Sequence, residues 1–469
     1  MKKVLLVNPP VLKNEVYGKL GAMGSSAYPL GLCSLAAVLR KADFKVEIFD
    51  PCILGINLKD ATDTILRINP DYLGLTAVTI TIERAAQLAK EVKDRKKNIP
   101  VIIGGPHLTA TPEETLLRYP CFDIGVIGEG EITVVELLTK MEKGADLSLV
   151  QGLIFRDNSS IKKTAARSFI GNLDDLPLPA WDLLPSLPKY YYPTISSLNR
   201  LPSTHLVTSR GCPGRCIFCD TSVFGRKYRF FSSNYVIKMV NKLYHNYGIR
   251  DILFDDDLFV GDKRRLIEIC NMLISERLNL SWSCNARIDM IDSEMLTIMK
   301  KAGCWQIAYG IESGSQKILN SIGKNTNLKQ IEEVLRLTSY LNIKTKGYFM
   351  MGYPNETKED ILETIKFAKK IYLQDFQISF FTPFPGSKIQ GANVALKEKP
   401  ENWGSFNTYT EPKFIPEGLN KENLIELNRI AFKEFYLRPK IIFSYLGRPG
   451  IWINIFKLLK GVYALLKMS

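Results

Sequence analysis

Histidine and cysteine are scarce in this sequence, and long apolar runs are absent. The 469 residues include three histidines and nine cysteines, and no uncharged apolar stretch reaches the roughly 18 residues of a membrane-spanning helix. The apolar run after Met1 is too short for a signal peptide and is better explained as a first strand. Six dispersed cysteines have apolar neighbours, which is typical of core packing and not of a disulfide framework. These absences favour a cytoplasmic protein.

Basic residues outnumber acidic ones, and the formal net charge is +14 at pH 7. Solvated lysines on helix faces account for most such excess, and no basic stripe interleaved with aromatics is present, so we expect no nucleic-acid partner. The imbalance is strongest between Phe435 and Ser469, where no acidic residue occurs. Residues Ile451–Lys467 predict a basic amphipathic helix, which could pack on the rest of the protein or contact a membrane surface peripherally.

The first 140 residues alternate short apolar runs with amphipathic segments, which predicts a doubly wound, Rossmann-like parallel sheet with helices on both faces. Ligands of such sheets bind at the carboxyl ends of the strands. Small and hydroxyl-bearing residues stand at these ends, although tight βα turns would explain them equally well. The predicted strands are Val4–Val7, Val46–Phe49, Tyr72–Thr76, Val101–Gly104 and Ile124–Ile127.

Residues 141–200 contain a proline-rich and aromatic stretch, which predicts an extended linker. Six further βα units follow within residues 201–395, and this number predicts a partial (β/α)6 barrel of the TIM type. Residues 396–469 are expected to form a small helical region. The predicted barrel strands are His205–Thr208, Asp251–Phe254, Leu280–Ala286, Gln306–Gly310, Thr345–Met351 and Phe376–Phe381.

Three cysteines, Cys212, Cys216 and Cys219, lie in one loop after the first barrel strand, and Gly211 and Pro213 favour that loop. A structural zinc site needs four ligands, and no fourth stands nearby. Three thiolates suit a 4Fe-4S cluster with one iron open to another ligand.

The spacing Cys-x3-Cys-x2-Cys, with Phe218 before the last cysteine, resembles the radical S-adenosylmethionine enzymes. The resemblance implies that the open iron binds S-adenosylmethionine and that reductive cleavage yields a 5′-deoxyadenosyl radical. It also implies an electron donor such as flavodoxin or ferredoxin. Cofactor contacts are expected from Phe218 and from polar residues that end the later barrel strands: Asp255, Asp256, Arg287, Glu312 and Ser313.

The preceding sheet narrows the resemblance to the cobalamin-binding radical enzymes, over residues 1 to about 390. Its loops would hold cobalamin, and the corrin would face the cluster. The Asp-x-His-x-x-Gly signature of a lower axial histidine is absent, so His107 is expected to contact the nucleotide tail. The predicted cobalamin contacts are Asn8, Thr76, Thr79, Gly104, Gly105, His107, Gly128, Glu129 and Gly130.

The resemblance implies methylation of an unactivated carbon in a small-molecule or lipid-like substrate. One S-adenosylmethionine would methylate cobalamin, and a second would supply the radical that activates the substrate. The alternative is a cobalamin-dependent oxidation, cyclisation or rearrangement without methyl transfer, as in anaerobic porphyrin cyclases. A remote alternative is a cobalamin or cluster sensor without turnover.

Overall fold

The first domain is built on a seven-stranded sheet in the order β2-β1-β3-β4-β5-β6-β7. The computed structural model describes residues 1–12, 15, 24–158, 160–391 and 402–446. Strands β1 to β5 pair in parallel, as predicted, whereas β6 and β7 pair antiparallel at one edge. The strands are β1 (Lys3–Val7), β2 (Lys45–Phe49), β3 (Tyr72–Thr76), β4 (Val101–Gly104), β5 (Ile124–Val126), β6 (Leu153–Asp157) and β7 (Ser160–Lys163).

Helices cover both faces of this sheet because its strands are apolar on both sides. One core packs against α1 and α7, and a second core packs against α3 and α4. The helices of the first domain are α1 (Leu30–Lys41), α2 (Pro51–Leu54), α3 (Leu58–Ile68), α4 (Ile82–Arg95), α5 (Pro106–Ala110), α6 (Pro112–Arg118) and α7 (Gly130–Glu142).

The prediction that residues 141–200 form an extended linker is wrong. Strands β6 and β7 belong to the first sheet, and the proline-rich stretch is packed even where its backbone is irregular. Trp181 and Tyr191 are 1% and 0% exposed. The Tyr191 hydroxyl donates to Asp50 at 3.0 Å, and the Ala180 N–H donates to the Cys33 carbonyl at 3.0 Å. Prolines limited regular structure here, but the aromatic side chains supplied enough apolar area to bury the segment.

The second domain contains six parallel strands in the order β15-β14-β13-β12-β11-β8, which form the predicted half-barrel. All six predicted strands are present, with β13 longer than expected at both ends. The strands are β8 (Ser203–Leu206), β11 (Asp251–Phe254), β12 (Ser281–Ala286), β13 (Cys304–Glu312), β14 (Lys344–Met351) and β15 (Asp375–Phe380).

Helices alternate with these strands and pack on the convex face of the half-barrel. Their amphipathic sequences place leucine, isoleucine and methionine in the core that also includes α1 and α7. The helices are α8 (Leu187–Tyr190), α9 (Ser233–Tyr247), α10 (Lys263–Ser275), α11 (Ser293–Lys301), α12 (Gln316–Ser321), α13 (Leu328–Tyr340), α14 (Lys358–Lys370) and α15 (Lys388–Gly391).

The carboxyl-terminal residues contact both domains. Helix α16 (Lys421–Tyr436) stacks Phe435 on Phe376 of β15, with ring centroids 4.8 Å apart, and α17 (Pro439–Leu446) follows. Trp403 and Phe406 are buried in the core of the first domain. The predicted basic helix over Ile451–Lys467 lies outside the described residues. Among the described helices, none is both long and apolar enough to cross a membrane.

Candidate functional site

The cysteine loop is closed at its base by a two-residue antiparallel ribbon. Strand β9 (Ser209–Arg210) pairs with β10 (Arg229–Phe230), so residues 211–228 project as one loop. Gly211 has a φ of +81°, and a Cβ there would lie 2.5 Å from the Lys227 carbonyl oxygen. Only glycine fits this position, which begins the turn into Cys212.

The three cysteines of the loop are free thiols, of which Cys216 is buried, Cys212 half-buried and Cys219 exposed. No three His, Cys, Asp or Glu side chains within the described ranges are grouped so as to hold a single metal ion. A 4Fe-4S cluster makes a different demand, since each thiolate binds its own iron atom. The donor set of three thiols in one loop fits that cluster.

Arg287, a predicted cofactor contact, reaches the cysteine loop. Its Nη1 lies 3.6 Å from the Cys216 Sγ, and two other nitrogens donate to the Asp289 carboxylate at 3.0 and 2.7 Å. Burial alone would lower the pKa of Arg287, but Asp289 keeps it above its ordinary value. A fixed positive charge therefore stands beside the thiol of Cys216.

Two predicted S-adenosylmethionine contacts have polar partners, the exposed Asp255 and the buried Glu312. Asp255 accepts from the Asn285 amide at 3.0 Å and lies 3.2 Å from His205 Nδ1. Glu312 accepts from the Lys324 ammonium at 2.8 Å at the end of β13, where its φ of +71° is unusual for a residue other than glycine. Backbone strain of this kind is concentrated at functional sites.

Two other predicted contacts have buried side chains that bond within the protein, and their contact with the cofactor stays a prediction. Asp256 is 2% exposed and accepts hydrogen bonds from the Thr208 N–H and the Ser209 hydroxyl, at 2.8 and 2.6 Å. Ser313 is fully buried and lies 3.0 Å from the Thr364 hydroxyl. Both side chains fix backbone turns. Phe218 is half-buried and packs edge-to-face on Tyr353, with centroids 6.0 Å apart.

A cavity of about 570 Å³ joins the first domain to the cysteine loop. Its wall includes the carboxyl ends of the parallel strands on one side, and Cys212, Cys219 and Asp257 on the other. The deep part is apolar, which suits a large organic group with few charges. Predicted cobalamin contacts that line it are Thr76, Gly104, Gly105, Gly128, Glu129 and Gly130.

Glycines keep this cavity open. A Cβ built on Gly31 or on Gly128 meets no atom within 4 Å, and both residues line the cavity. Larger side chains at these points would extend into the space that the cofactor needs. The apolar wall and the open glycines together fit the ring system and nucleotide tail of cobalamin.

Three predicted cobalamin contacts are absent from the described lining of this cavity. Asn8 donates to the buried Asp50 at 3.0 Å. His107 Nδ1 lies 3.3 Å from the Thr79 hydroxyl, and the imidazole packs edge-to-face on Trp403. Burial lowers the pKa of His107 to about 4, so the ring is neutral at pH 7. These residues hydrogen-bond and pack at the rim of the sheet, and their direct contact with cobalamin stays a prediction.

The deep apolar wall was missed by sequence reasoning. It is formed where α1 and α7 turn leucine and valine side chains toward the sheet. The apolar faces of both helices were visible in the sequence, but such a face is normally filled by core packing and does not by itself signal a ligand. The wall residues are Val4, Leu6, Leu32, Leu35, Ile102, Val126, Val134 and Leu138.

The concave face of the half-barrel is polar. On β12, Trp282 and Cys284 belong to the core beneath the helices, so Ser281, Ser283 and Asn285 point to the opposite face. The same alternation on the neighbouring strands gives a surface dominated by hydrogen-bonding groups. Residues on this face include His205, Asp255, Ser283, Asn285, Gln306, Lys346, Tyr348 and Gln377.

Several of these groups on the concave face have incomplete partners. Ser283 Oγ and Asn285 Oδ1 are buried atoms without a hydrogen-bond partner in the described part of the chain. The Lys346 ammonium is 2% exposed and donates to the hydroxyls of Ser196 and Ser197, at 3.0 and 3.4 Å. A buried polar group ordinarily finds a partner, so this face suits a polar ligand.

Comparison with known proteins agrees with this architecture. A B12 binding domain model matches residues 20–138, and a Radical SAM superfamily model matches residues 206–368. An uncharacterized methyltransferase of Pyrococcus horikoshii is 35% identical over 442 residues, which cover 94% of each chain. The chain belongs to the cobalamin-dependent radical S-adenosylmethionine enzymes.

Two further proteins are similar to most of this chain. The anaerobic magnesium-protoporphyrin IX monomethyl ester cyclase of Rubrivivax gelatinosus is 27% identical over 88% of this chain and 74% of its own. The solved structure of OxsB, with aqua-cobalamin and S-adenosylmethionine bound, superposes with a TM-score of 0.67 at 25% identity. It matches 79% of this chain but about half of its own, 52%.

The cofactors of this radical S-adenosylmethionine enzyme are therefore a 4Fe-4S cluster, S-adenosylmethionine and cobalamin. Cys212, Cys216 and Cys219 would hold the cluster. The cavity between the strand ends and the cysteine loop would hold cobalamin.

Proposed function

We propose that the enzyme methylates an unactivated carbon atom of a small, polar molecule. The observation that carries this proposal is the shared wall of the cavity, since Cys212 and Cys219 line the same space as the strand-end residues Thr76, Gly104 and Gly128. A radical site and a methyl donor in one enclosed space can act on one substrate carbon in turn. The resemblance to a named methyltransferase over nearly the whole chain supports the same reaction.

Bound at these sites, the cluster supplies reductive cleavage of S-adenosylmethionine, and cobalamin supplies methyl transfer. One turnover converts a substrate C–H bond and two S-adenosylmethionine molecules into a C–CH₃ bond, S-adenosylhomocysteine, 5′-deoxyadenosine and methionine. It consumes two electrons, which a flavodoxin- or ferredoxin-type protein would deliver. The protein contributes binding, orientation and exclusion of water.

The concave face favours a polar substrate over a lipid-like one. A hydrocarbon chain placed there would leave Ser283, Asn285 and the Lys346 ammonium facing apolar atoms, and each unpaired buried polar group costs about 1–3 kcal/mol. A substrate with hydroxyl, amide or acidic groups would pair with them. The buried Lys346 ammonium donates to two hydroxyls and interacts with the Asp255 and Asp375 carboxylates only through space, so it favours an acidic group on the substrate.

The test is anaerobic turnover of the reconstituted enzyme with S-adenosylmethionine that carries a deuterated methyl group. Aqueous and organic fractions of a metabolite extract from the source cells serve as the substrate pool, and mass spectrometry follows the label. We expect a labelled product from the aqueous fraction. Label only in the organic fraction would contradict the polar substrate class.

A cyclisation or oxidation without methyl transfer is the second candidate, because a porphyrin cyclase is also similar to most of the chain. It predicts 5′-deoxyadenosine and an unlabelled, oxidised product in the same experiment. A sensor without turnover would form neither product.

A further inference from the structure

Four charged side chains are buried where the first domain meets the cysteine loop. Arg210 and Arg229 are paired residues of the β9–β10 ribbon, and Glu129 and Glu131 stand at the start of α7. Their side chains are 9%, 5%, 4% and 6% exposed. We call these four residues the interdomain clamp.

Glu129 is fully engaged within the interdomain clamp. One carboxylate oxygen accepts from Arg210 at 2.8 Å and from Arg229 at 2.9 Å. The other accepts from Arg229 at 2.9 Å and from the Ile170 N–H at 2.8 Å. Glu129 is also a predicted cobalamin contact that lines the cavity, and in this structure both its oxygens accept hydrogen bonds from the protein.

Glu131 provides the second acceptor of the clamp. Its carboxylate accepts from the other terminal nitrogen of Arg210 and from the Ser34 hydroxyl, the latter at 2.9 Å. Burial alone would raise the pKa of Glu131, but the Arg210 charge outweighs it and holds the pKa below its ordinary value. Arg210 therefore binds two carboxylates of the first domain at once.

The position of Arg210 links the ion-pair network to the cysteine loop. Arg210 directly precedes Gly211 and Cys212, at the base of the cysteine loop. Arg210, Glu129 and Glu131 also line the cavity that Cys212 and Cys219 line. A shift of Arg210 would move the cysteines relative to the strand ends of the first domain.

Stability alone is a poor explanation for such a network. Desolvation of four charged groups offsets most of their mutual attraction, and well-packed apolar residues often serve stability as well or better. Directional bonds between fixed charges, in contrast, select one geometry. The clamp lies at a junction between the cobalamin cavity and the cysteine loop, where such a fixed geometry would matter.

We propose that the interdomain clamp is a positioning device that fixes the cysteine loop against the cobalamin cavity. It keeps the radical source and the methyl donor at one separation. Loss of the clamp would leave both cofactors bound but would let the substrate radical decay before it is methylated. The decay of the substrate radical rests on the proposed methylation, whereas the fixed separation of the two cofactors does not.

The test compares Arg210→Lys and Glu131→Gln with the native enzyme, each loaded with cluster and cobalamin. After dithionite reduction, the magnetic coupling between Co(II) and the reduced cluster is measured by EPR, which needs neither substrate nor turnover. We expect one well-defined coupling in the native enzyme and a weaker, broader distribution in both variants. The same coupling in all three proteins would overturn the proposal.

Turnover gives the second readout. We expect the ratio of 5′-deoxyadenosine to methylated product to rise by a factor of several in both variants, each assayed at saturating cobalamin. An unchanged ratio in variants that retain both cofactors would contradict the clamp. If methylation itself is the wrong reaction, the EPR comparison still decides the proposal.

Matched controls separate positioning from folding. Asp182→Asn breaks an exposed pair between Arg40 and Asp182, which are 45% and 51% exposed, and should leave the coupling unchanged. Where Arg210→Lys does not fold, Glu131→Gln still decides the question, because the amide keeps one oxygen acceptor and nearly the same shape. A change in the coupling caused equally by Asp182→Asn would also overturn the proposal.

Discussion

The cavity of the first domain and the concave face of the second differ in chemistry although both are built on parallel sheets. Leucine and valine side chains from α1, α7 and the strands surround the deep part of the cavity. The concave face instead carries histidine, aspartate, asparagine and lysine, with some buried polar atoms left without partners. An apolar enclosure suits one large cofactor, while a polar face suits recognition of a substrate. The cysteine loop lies where the two meet.

Removing a thiolate from the cysteine loop, where the two regions meet, should have the largest effect on activity. Cys216→Ala removes one of the three thiolates, so we expect loss of the cluster and of all 5′-deoxyadenosine formation, with cobalamin affinity unchanged. Iron and sulfide content, product formation and cobalamin titration measure the three properties. Cys270→Ala is the matched control, since Cys270 is buried in the barrel core. Retained cleavage of S-adenosylmethionine in Cys216→Ala would contradict the assignment of the loop.

Filling the cavity should weaken cobalamin binding and change little else. Gly31→Leu places a side chain into open space at the cavity wall, and we expect cobalamin affinity to fall by on the order of tenfold or more. The melting temperature of the apoprotein should be maintained or rise, because leucine favours a helix over glycine by about 0.5–1 kcal/mol.

Gly171→Leu provides the control for the cavity variant, because Gly171 also has open space around it but is absent from the cavity lining given by the described residues. Equal cobalamin affinity in both variants would place cobalamin elsewhere.

Removing the buried cation of the concave face should weaken recognition of the substrate without changing cofactor binding. Lys346→Met keeps most of the side-chain length but removes the ammonium. We expect kcat/KM for methylation to fall about tenfold or more, since a hydrogen bond to a charged group contributes about 1.5–3 kcal/mol. Affinities for cobalamin and S-adenosylmethionine should stay constant. Lys366→Met, on an exposed helix face, should change none of these. Native kcat/KM in Lys346→Met would mean that the substrate binds elsewhere.

The last expected effect is on stability and not on activity, and it depends on pH. Burial raises the pKa of Glu356, at the end of β14, to about 7. The folded state therefore holds this proton more tightly than the unfolded state, and the stabilisation present below about pH 4.5 is lost as the pH rises through about 7. Relative to Glu356→Gln, the native free energy of unfolding should fall by about 3 kcal/mol between these limits.

Urea unfolding at several pH values checks the Glu356 prediction. Glu417→Gln, at an exposed position, should show the native pH dependence. Parallel curves for the native enzyme and Glu356→Gln would contradict the buried titration.

Much of the architecture followed from the sequence because apolar periodicity reports strands and helices directly. All parallel strands of both sheets were predicted, and the cysteine spacing indicated the cluster loop. The packed stretch around Trp181 was missed because proline suggests a linker, and only the tertiary contacts show that its aromatics are buried. Strands β6 and β7, which precede it within residues 141–200, were not predicted.

Side-chain roles were harder to predict than their positions. Asp255 and Asp256 are neighbours at a strand end, yet alternation turns Asp255 toward the open face and buries Asp256 against Thr208. Glu129 stood at the predicted edge of the sheet, but its partners, Arg210 and Arg229, come from a segment about 80 to 100 residues later. Pairings over such separations depend on the fold and leave no local signal in the sequence.

The ratio of products in a single turnover assay tests the central claim most directly. The loaded enzyme is supplied with a reductant, deuterated-methyl S-adenosylmethionine and the aqueous metabolite fraction, and three species are counted together. We expect S-adenosylhomocysteine, 5′-deoxyadenosine and labelled product in equal amounts. Formation of 5′-deoxyadenosine alone, with an unlabelled product, would contradict the claim that this enzyme joins the two cofactors to transfer a methyl group.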